Sequence, residues 1–173
     1  MNPEILRGTI RRVRHIATIG VYEFDAASFV QTLDEANVTQ LIDIRQRRGV
    51  RGPDYAWANA RRLQALMSDA QISYVYHPEL APYTELRQLQ YREDDRQGVG
   101  KRSRVQLAPE YIRRYTEEIL DLVPLEPLIR DLPVHGMGAL FCVEATADAC
   151  HRSLVARRLA ERNGFAVTHL EPK

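Results

Sequence analysis

Short apolar runs alternate with amphipathic stretches along this chain, and that alternation predicts its elements. Ile16-Ala-Thr-Ile-Gly20 reads as a first strand. Asp25-Ala-Ala-Ser28 then offers caps for a helix carrying Phe29, Val30 and Leu33 at helical spacing, with Asn37 as its stop. Gln40-Leu-Ile-Asp-Ile-Arg45 is a second strand, and its period of two puts Leu41, Asp43 and Arg45 on one face and Ile42 and Ile44 on the other. Trp57, Leu63, Leu66 and Met67 form the apolar stripe of a second helix. Ile72 to His77 is a third strand. Pro109 opens a helix through Tyr111, Ile112, Tyr115, Ile119 and Val123, and a second short helix follows over Leu125 to Leu132. Val134 to Gly138 reads as a loop, and Ala139 to Val143 as a buried strand. A helix from about Asp148 stops at Asn163-Gly164, and Phe165 to Leu170 is a last strand.

Strand and helix in turn predict one α/β domain over 1–173, with a mostly parallel five-stranded sheet and helices on both faces. This is a Rossmann-like three-layer sandwich without a dinucleotide fingerprint: no G-x-G-x-x-G follows the first strand and no Walker loop is present. Two stretches break the pattern. Residues 1–14 read as a basic leader or a strand extension. Residues 81–108 read as a polar loop or lid insertion, helical at most near Thr84 to Tyr91, with a basic tip at Lys101 to Arg104.

Composition changes this picture little. With 45% hydrophobic and 27% charged residues, the 173-residue chain is ordinary for a globular domain, and a net charge of +1 gives no global field toward nucleic acid or membrane. No apolar run reaches the roughly 20 residues of a membrane span. Cys142 and Cys150 are the only cysteines, so a disulfide framework is not expected, and the chain reads as cytoplasmic with reduced thiols. Lys101 and Lys173 are the only lysines, so the other 22 of the 24 basic residues are arginines, a bias of coding or a supply of bidentate anion donors.

Candidate chemistry collects at the carboxyl ends of the strands, where an open α/β sheet binds its ligands. Thr18 and Gly20 end the first strand; Asp43 and Arg45 end the second. Arg45 to Gly52 holds four arginines and two glycines, either a solvated loop or an anion site with Arg51. Glu79 follows the third strand. Glu144, Cys150, His151 and Arg152 follow the fourth. One composite crevice is expected from Thr18, Gly20, Asp43, Arg45, Arg51, Glu79, Glu144, Cys150, His151 and Arg152. Glu144, Asp43 and Cys150 are its catalytic candidates and the others its ligand contacts.

Three readings compete there. Free N–H groups at the last long helix, with Arg45, Arg51 and Arg152, would hold a phosphate. A thiol in the first helical turn can be activated as a nucleophile. Cys142, Glu144, Cys150 and His151 are of types that suit zinc. Helical neighbours point about 100° apart, which argues against a Cys150–His151 dyad. The cysteine spacing is not C-x-x-C and Cys142 should be buried, so no metal site and no cofactor are expected. The bland alternative is that Glu144 and Arg152 pair to fix the turn, with Cys150 packed inside. The best-supported expectation is an anion-competent crevice for a nucleotide, nucleic acid or other phosphorylated ligand. The alternatives are an enzyme on such a substrate and an interaction module.

The motifs Thr18-Ile-Gly20, Asp43-Ile-Arg45, His77-Pro-Glu-Leu80, Cys142-Val-Glu144 and Cys150-His-Arg152, in this order, resemble the prokaryotic family catalogued as domain of unknown function 488. The resemblance runs from about His15 to Leu170. It implies an α/β sandwich of modest size and no established activity. Val21 stands where the family typically carries histidine, and Ala81-Pro82 where a glycine is frequent.

Overall fold

Five parallel strands form one sheet in the order β3-β2-β4-β1-β5 in a computed structural model of the chain, which describes residues 13–173. The strands are β1 (His15–Ile19), β2 (Val38–Asp43), β3 (Ser73–Tyr76), β4 (Met137–Phe141) and β5 (Ala166–Leu170). The helices are α1 (Ala26–Glu35), α2 (Ala60–Asp69), α3 (Thr84–Gln97), α4 (Pro109–Tyr115), α5 (Glu126–Arg130) and α6 (His151–Asn163). The expected three-layer α/β sandwich is therefore present. Of the basic leader, residues 1–12 lie outside the described residues. Among the described residues no helix is long and apolar enough to cross a membrane.

Local signals set several boundaries. Asp25 caps α1: its Oδ1 accepts from the Ser28 amide at 2.7 Å, and Ser28 Oγ accepts from the Asp25 amide at 3.1 Å. Asn37 takes φ 54° just after α1, and Gly164 takes φ 70° after α6, the left-handed conformation that ends a helix.

The sheet's two faces carry two cores. Leu41, Ala139 and Phe141 pack with Phe29 and Leu33 of α1 and Leu63 and Met67 of α2. Ile42, Ile44 and Leu140 pack with Tyr111 and Tyr115 of α4 and Val155 and Leu159 of α6. The period of two in β2 thus sorts its side chains as the sequence predicts. Helices α1 and α2 cover one face, and α4 and α6 the other. Neighbouring strands β2 and β4 send their following helices to opposite faces, so the chain opens a crevice at their carboxyl ends.

Residues 81–108 are the main departure from the sequence expectation. Helix α3 runs to Gln97 and is capped by Gly98 at φ 70°. Its buried stripe is Leu86, Gln90 and Asp94, so two of three inward positions are polar and the apolar pattern is hidden. The return strand of chain is tied down at Arg104, which is 7% exposed. The segment is a helix and a tethered return rather than a polar loop.

Beyond β1, a Cβ built on Gly20 would lie 2.0 Å from the carbonyl oxygen of Glu144. Only glycine admits this approach of the first strand's exit to the fourth strand's turn. Gly20→Ala should cost about 1–3 kcal/mol or more through forced backbone displacement. Urea unfolding measures it, and a change within about 0.5 kcal/mol would contradict the required approach.

Candidate functional site

Two buried arginines shape the crevice before any ligand chemistry begins. Asp43, fully buried at the end of β2, takes Arg45 in a fork: Nε at 2.9 Å and Nη2 at 2.7 Å. The Tyr74 hydroxyl donates to the same carboxylate at 2.6 Å, and Arg45 Nη1 donates to the Ala58 carbonyl. Burial first, then this hydrogen bond to Asp43, pushes the Tyr74 phenol up to about 12. The Arg45 guanidinium lies 4.6 Å from the Phe141 ring centre. Asp43 is thus a structural partner whose oxygens are spoken for, and Arg45 has little donor capacity left.

Arg152, 1% exposed, does the same for the turn after β4. It donates to the backbone carbonyls of Glu144 at 2.5 Å and Ala145 at 2.9 Å, and more distantly to Thr18. Thr18 is wholly buried and meets His169 at 2.8 Å. Arg152 therefore fixes the turn, but through carbonyls. The Glu144 carboxylate goes elsewhere: Arg104 Nη2 donates to it at 2.8 Å and Lys101 Nζ lies at 3.7 Å. Arg104 also reaches Asp94 at 2.7 Å and the Ala149 carbonyl at 3.2 Å. Burial and the neighbouring Cys150 raise the Glu144 carboxyl above its usual range, against the opposing charges of Lys101 and Arg104.

A cavity of about 410 Å³ opens over this framework. Of the expected crevice residues, Arg45, Arg51, Glu144 and His151 line it. Thr18, Gly20, Asp43, Glu79, Cys150 and Arg152 do not. Glu79 is exposed and pairs with His77 at 2.6 Å. Glu144 is the only acid among the lining residues, against six basic ones: Arg45, Arg47, Arg51, Arg87, Lys101 and Arg104. Arg87, Arg104 and the ring of Tyr111 come from α3, its return and α4, elements whose place over the sheet no short motif announces.

The turn into α6 departs from helical expectation at one residue. Ala147–Ala149 form a short 3-10 turn, and Cys150 then breaks into extended backbone at φ −140°, ψ 144° before α6 begins at His151. The 100° rule for helical neighbours does not apply across such a cap, and Cys150 Sγ lies 3.8 Å from His151 Nδ1. Cys142 Sγ lies 3.7 Å from the same nitrogen and 3.6 Å from Glu144 Oε2. The residue types suit zinc and the cysteine spacing argues against a site, yet the fold brings the donor atoms of Cys142, Cys150 and His151 within 4.8 Å of one another.

The imidazole's tautomer follows from its other side. His151 Nε2 meets the Ile44 carbonyl at 3.0 Å, and a carbonyl only accepts, so Nε2 carries a proton and Nδ1 faces the sulfurs. Burial raises the Cys150 thiol, but the hydrogen bond with Cys142 and the charges of His151 and Arg152 outweigh it and hold Cys150 well below its usual value. Burial pushes Cys142 well above its own, with the neighbouring Cys150 adding to the rise. Burial lowers His151, and the adjacent Cys150 more than restores it, so the ring is raised. The group can hold a thiolate beside an imidazolium, or a soft cation. As a nucleophile Cys150 is badly placed, because it is 1% exposed and lies behind the cavity wall.

Asp43→Ala should cost about 3–5 kcal/mol, because it leaves the Arg45 charge buried without its partner. Chemical denaturation measures the loss, and a loss below about 1 kcal/mol would show the fork to be dispensable.

Neither a search of the curated proteins nor a search of the solved structures finds a match for the chain. The family model described as domain of unknown function DUF488 matches residues 25–159, which takes in α1, every cavity-lining residue except Tyr22, and most of α6. On that match, over most of its length, the chain belongs to the DUF488 family.

Proposed function

We propose that the cavity binds a phosphorylated small molecule, with a nucleotide as the class that fits it best. One observation carries this reading. Asp43, Asp94 and Glu144 take up the charges of Arg45, Arg104 and Lys101. Arg47, Arg51 and Arg87 also line the cavity, and have no acidic partner among the described residues. Three guanidiniums without counter-charge around one concavity favour a ligand with several anionic oxygens, which their planar forks match. Arg87 Nε is buried without a hydrogen-bond partner among the described residues, a donor whose desolvation is compensated once an acceptor arrives.

Volume and lining narrow the class. About 410 Å³ lies within the usual range of small-ligand pockets, roughly 300–1,000 Å³. Tyr22, Tyr91 and Tyr111 supply aromatic surface beside the arginines, suited to a planar base next to a phosphate. A nucleic-acid strand is the weaker ligand, because net charge is +1 and the surplus is gathered in a concavity rather than along a stripe. Both thiols are free and buried, which agrees with a reducing compartment and hence a cytoplasmic setting. If the site also turns its ligand over, Glu144 is the acid in place to move a proton.

Calorimetric titration with inorganic phosphate, mononucleotides and short oligonucleotides tests the reading. Arg51→Ala and Arg87→Ala should each weaken the best ligand by about tenfold or more. Arg130→Ala, at an exposed pair with Asp131, should leave affinity unchanged. A steep salt slope would favour nucleic acid. Indifference of every phosphorylated ligand to both cavity substitutions would overturn the proposal.

A further inference from the structure

The geometry points to a zinc-type metal site formed by Cys142, Cys150 and His151, with its fourth coordination position open to the cavity. This goes beyond the anion reading and stands without it, because it uses none of the free arginines.

Two segments deliver the three donors. Cys142 is the first residue past β4, Cys150 is the extended cap before α6, and His151 is the first residue of α6. All three are buried, and their donor atoms lie within 4.8 Å of one another. Zinc–sulfur bonds of about 2.3 Å and zinc–nitrogen bonds of about 2.0–2.1 Å, set at a tetrahedral angle, put sulfur and nitrogen about 3.6 Å apart. The two sulfur-to-Nδ1 distances here are 3.7 and 3.8 Å. Two of the three donor–donor edges thus already match a tetrahedral site to within a few tenths of an ångström, and the sulfur-to-sulfur edge is within 4.8 Å.

The surroundings fit a ligand set as well. His151 donates Nε2–H to the Ile44 carbonyl at 3.0 Å, the outer hydrogen bond that fixes a metal-bound imidazole with its other nitrogen free. Two thiolates and an imidazole are a soft set that selects zinc over calcium or magnesium. A dication also balances two thiolate charges that the buried site would otherwise hold at high cost. Cys142 and His151 line the cavity and Cys150 sits behind it, which suits a ligand better than a nucleophile, since a ligand need not meet the substrate. Three protein ligands leave one position, and in catalytic zinc sites that position takes water or substrate. Glu144 lies beside the donor set. Its Oε1 is held by Arg104 and Lys101, and its Oε2 lies 3.6 Å from Cys142 Sγ. Glu144 is thereby placed to complete the coordination or to orient a bound water.

The test uses the whole chain, reduced and stripped of metal, in phosphate-free buffer. Cobalt(II) is titrated first and then displaced by zinc. The expected result is one equivalent of cobalt with thiolate charge-transfer and tetrahedral d–d absorption, and release of protons as the thiols ionise. One equivalent of zinc should abolish the bands and shield both cysteines from a thiol reagent. Cys142→Ser, Cys150→Ser and His151→Gln should each weaken cobalt binding by at least a hundredfold, while Cys142→Ser and Cys150→Ser each lose part of the charge-transfer band. Thiol shielding in the unaltered chain gives a reading even where a variant fails to fold. Folded wild-type protein that shows no thiolate–cobalt band would overturn the proposal. So would a band left undiminished in both Cys142→Ser and Cys150→Ser, or zinc that leaves both thiols reactive. Because phosphate is absent, failure here leaves the anion reading standing, and failure of nucleotide binding leaves this one standing.

Discussion

Arg152 holds the turn after β4 by its two carbonyls, and most of the site depends on that grip. A buried guanidinium must spend its donors, and here it spends them on the backbone of Glu144 and Ala145 rather than on a carboxylate. That choice frees the Glu144 side chain to face the cavity and take Arg104 and Lys101. It also presses the Glu144 carbonyl against Gly20, where no side chain fits. The exits of β1 and β4 are locked together, and Cys142, Cys150 and His151 inherit their positions from that lock.

Around it, the other buried arginines each have an acidic partner, as Arg158 has Asp121. Arg45 has Asp43, and Arg104 has Asp94 and Glu144. Such pairs contribute little net stability, because desolvation offsets their attraction, but losing one partner is costly. They act as struts that hold the crevice open between β2, β4 and α3. With those charges matched, the unmatched arginines on the cavity wall acquire meaning. Arg47, Arg51 and Arg87 are the surplus, and the proposed anionic ligand would supply their counter-charge.

The sheet was legible from period alone, since β2 alternates Leu41 and Asp43 against Ile42 and Ile44 just as the two cores require. Crowding at the carboxyl ends of the strands was legible too, because parallel topology gathers those ends. Three things were not. Helix α3 hides its inward stripe behind Gln90 and Asp94, which are buried only because Arg104 and the Ala108 amide meet them there. Asp43 and Arg45 look like a free carboxylate and a free cation in one dimension, and are a closed pair in three. The Cys150–His151 contact depends on a single residue leaving the helix, a φ and ψ that no spacing rule reports. Lys101 and Arg104 did carry a signal, as the basic tip of a polar stretch, but nothing in the chain showed that Arg104 turns inward.

The central claim is that the surplus arginines and the open face of the buried turn form one ligand site. A crystal structure of the protein grown with a nucleoside monophosphate addresses it most directly. The account predicts the phosphate within hydrogen-bond reach of Arg51 and Arg87, with the base along Tyr22, Tyr91 or Tyr111. A phosphate bound away from the cavity, on exposed arginines alone, would contradict it.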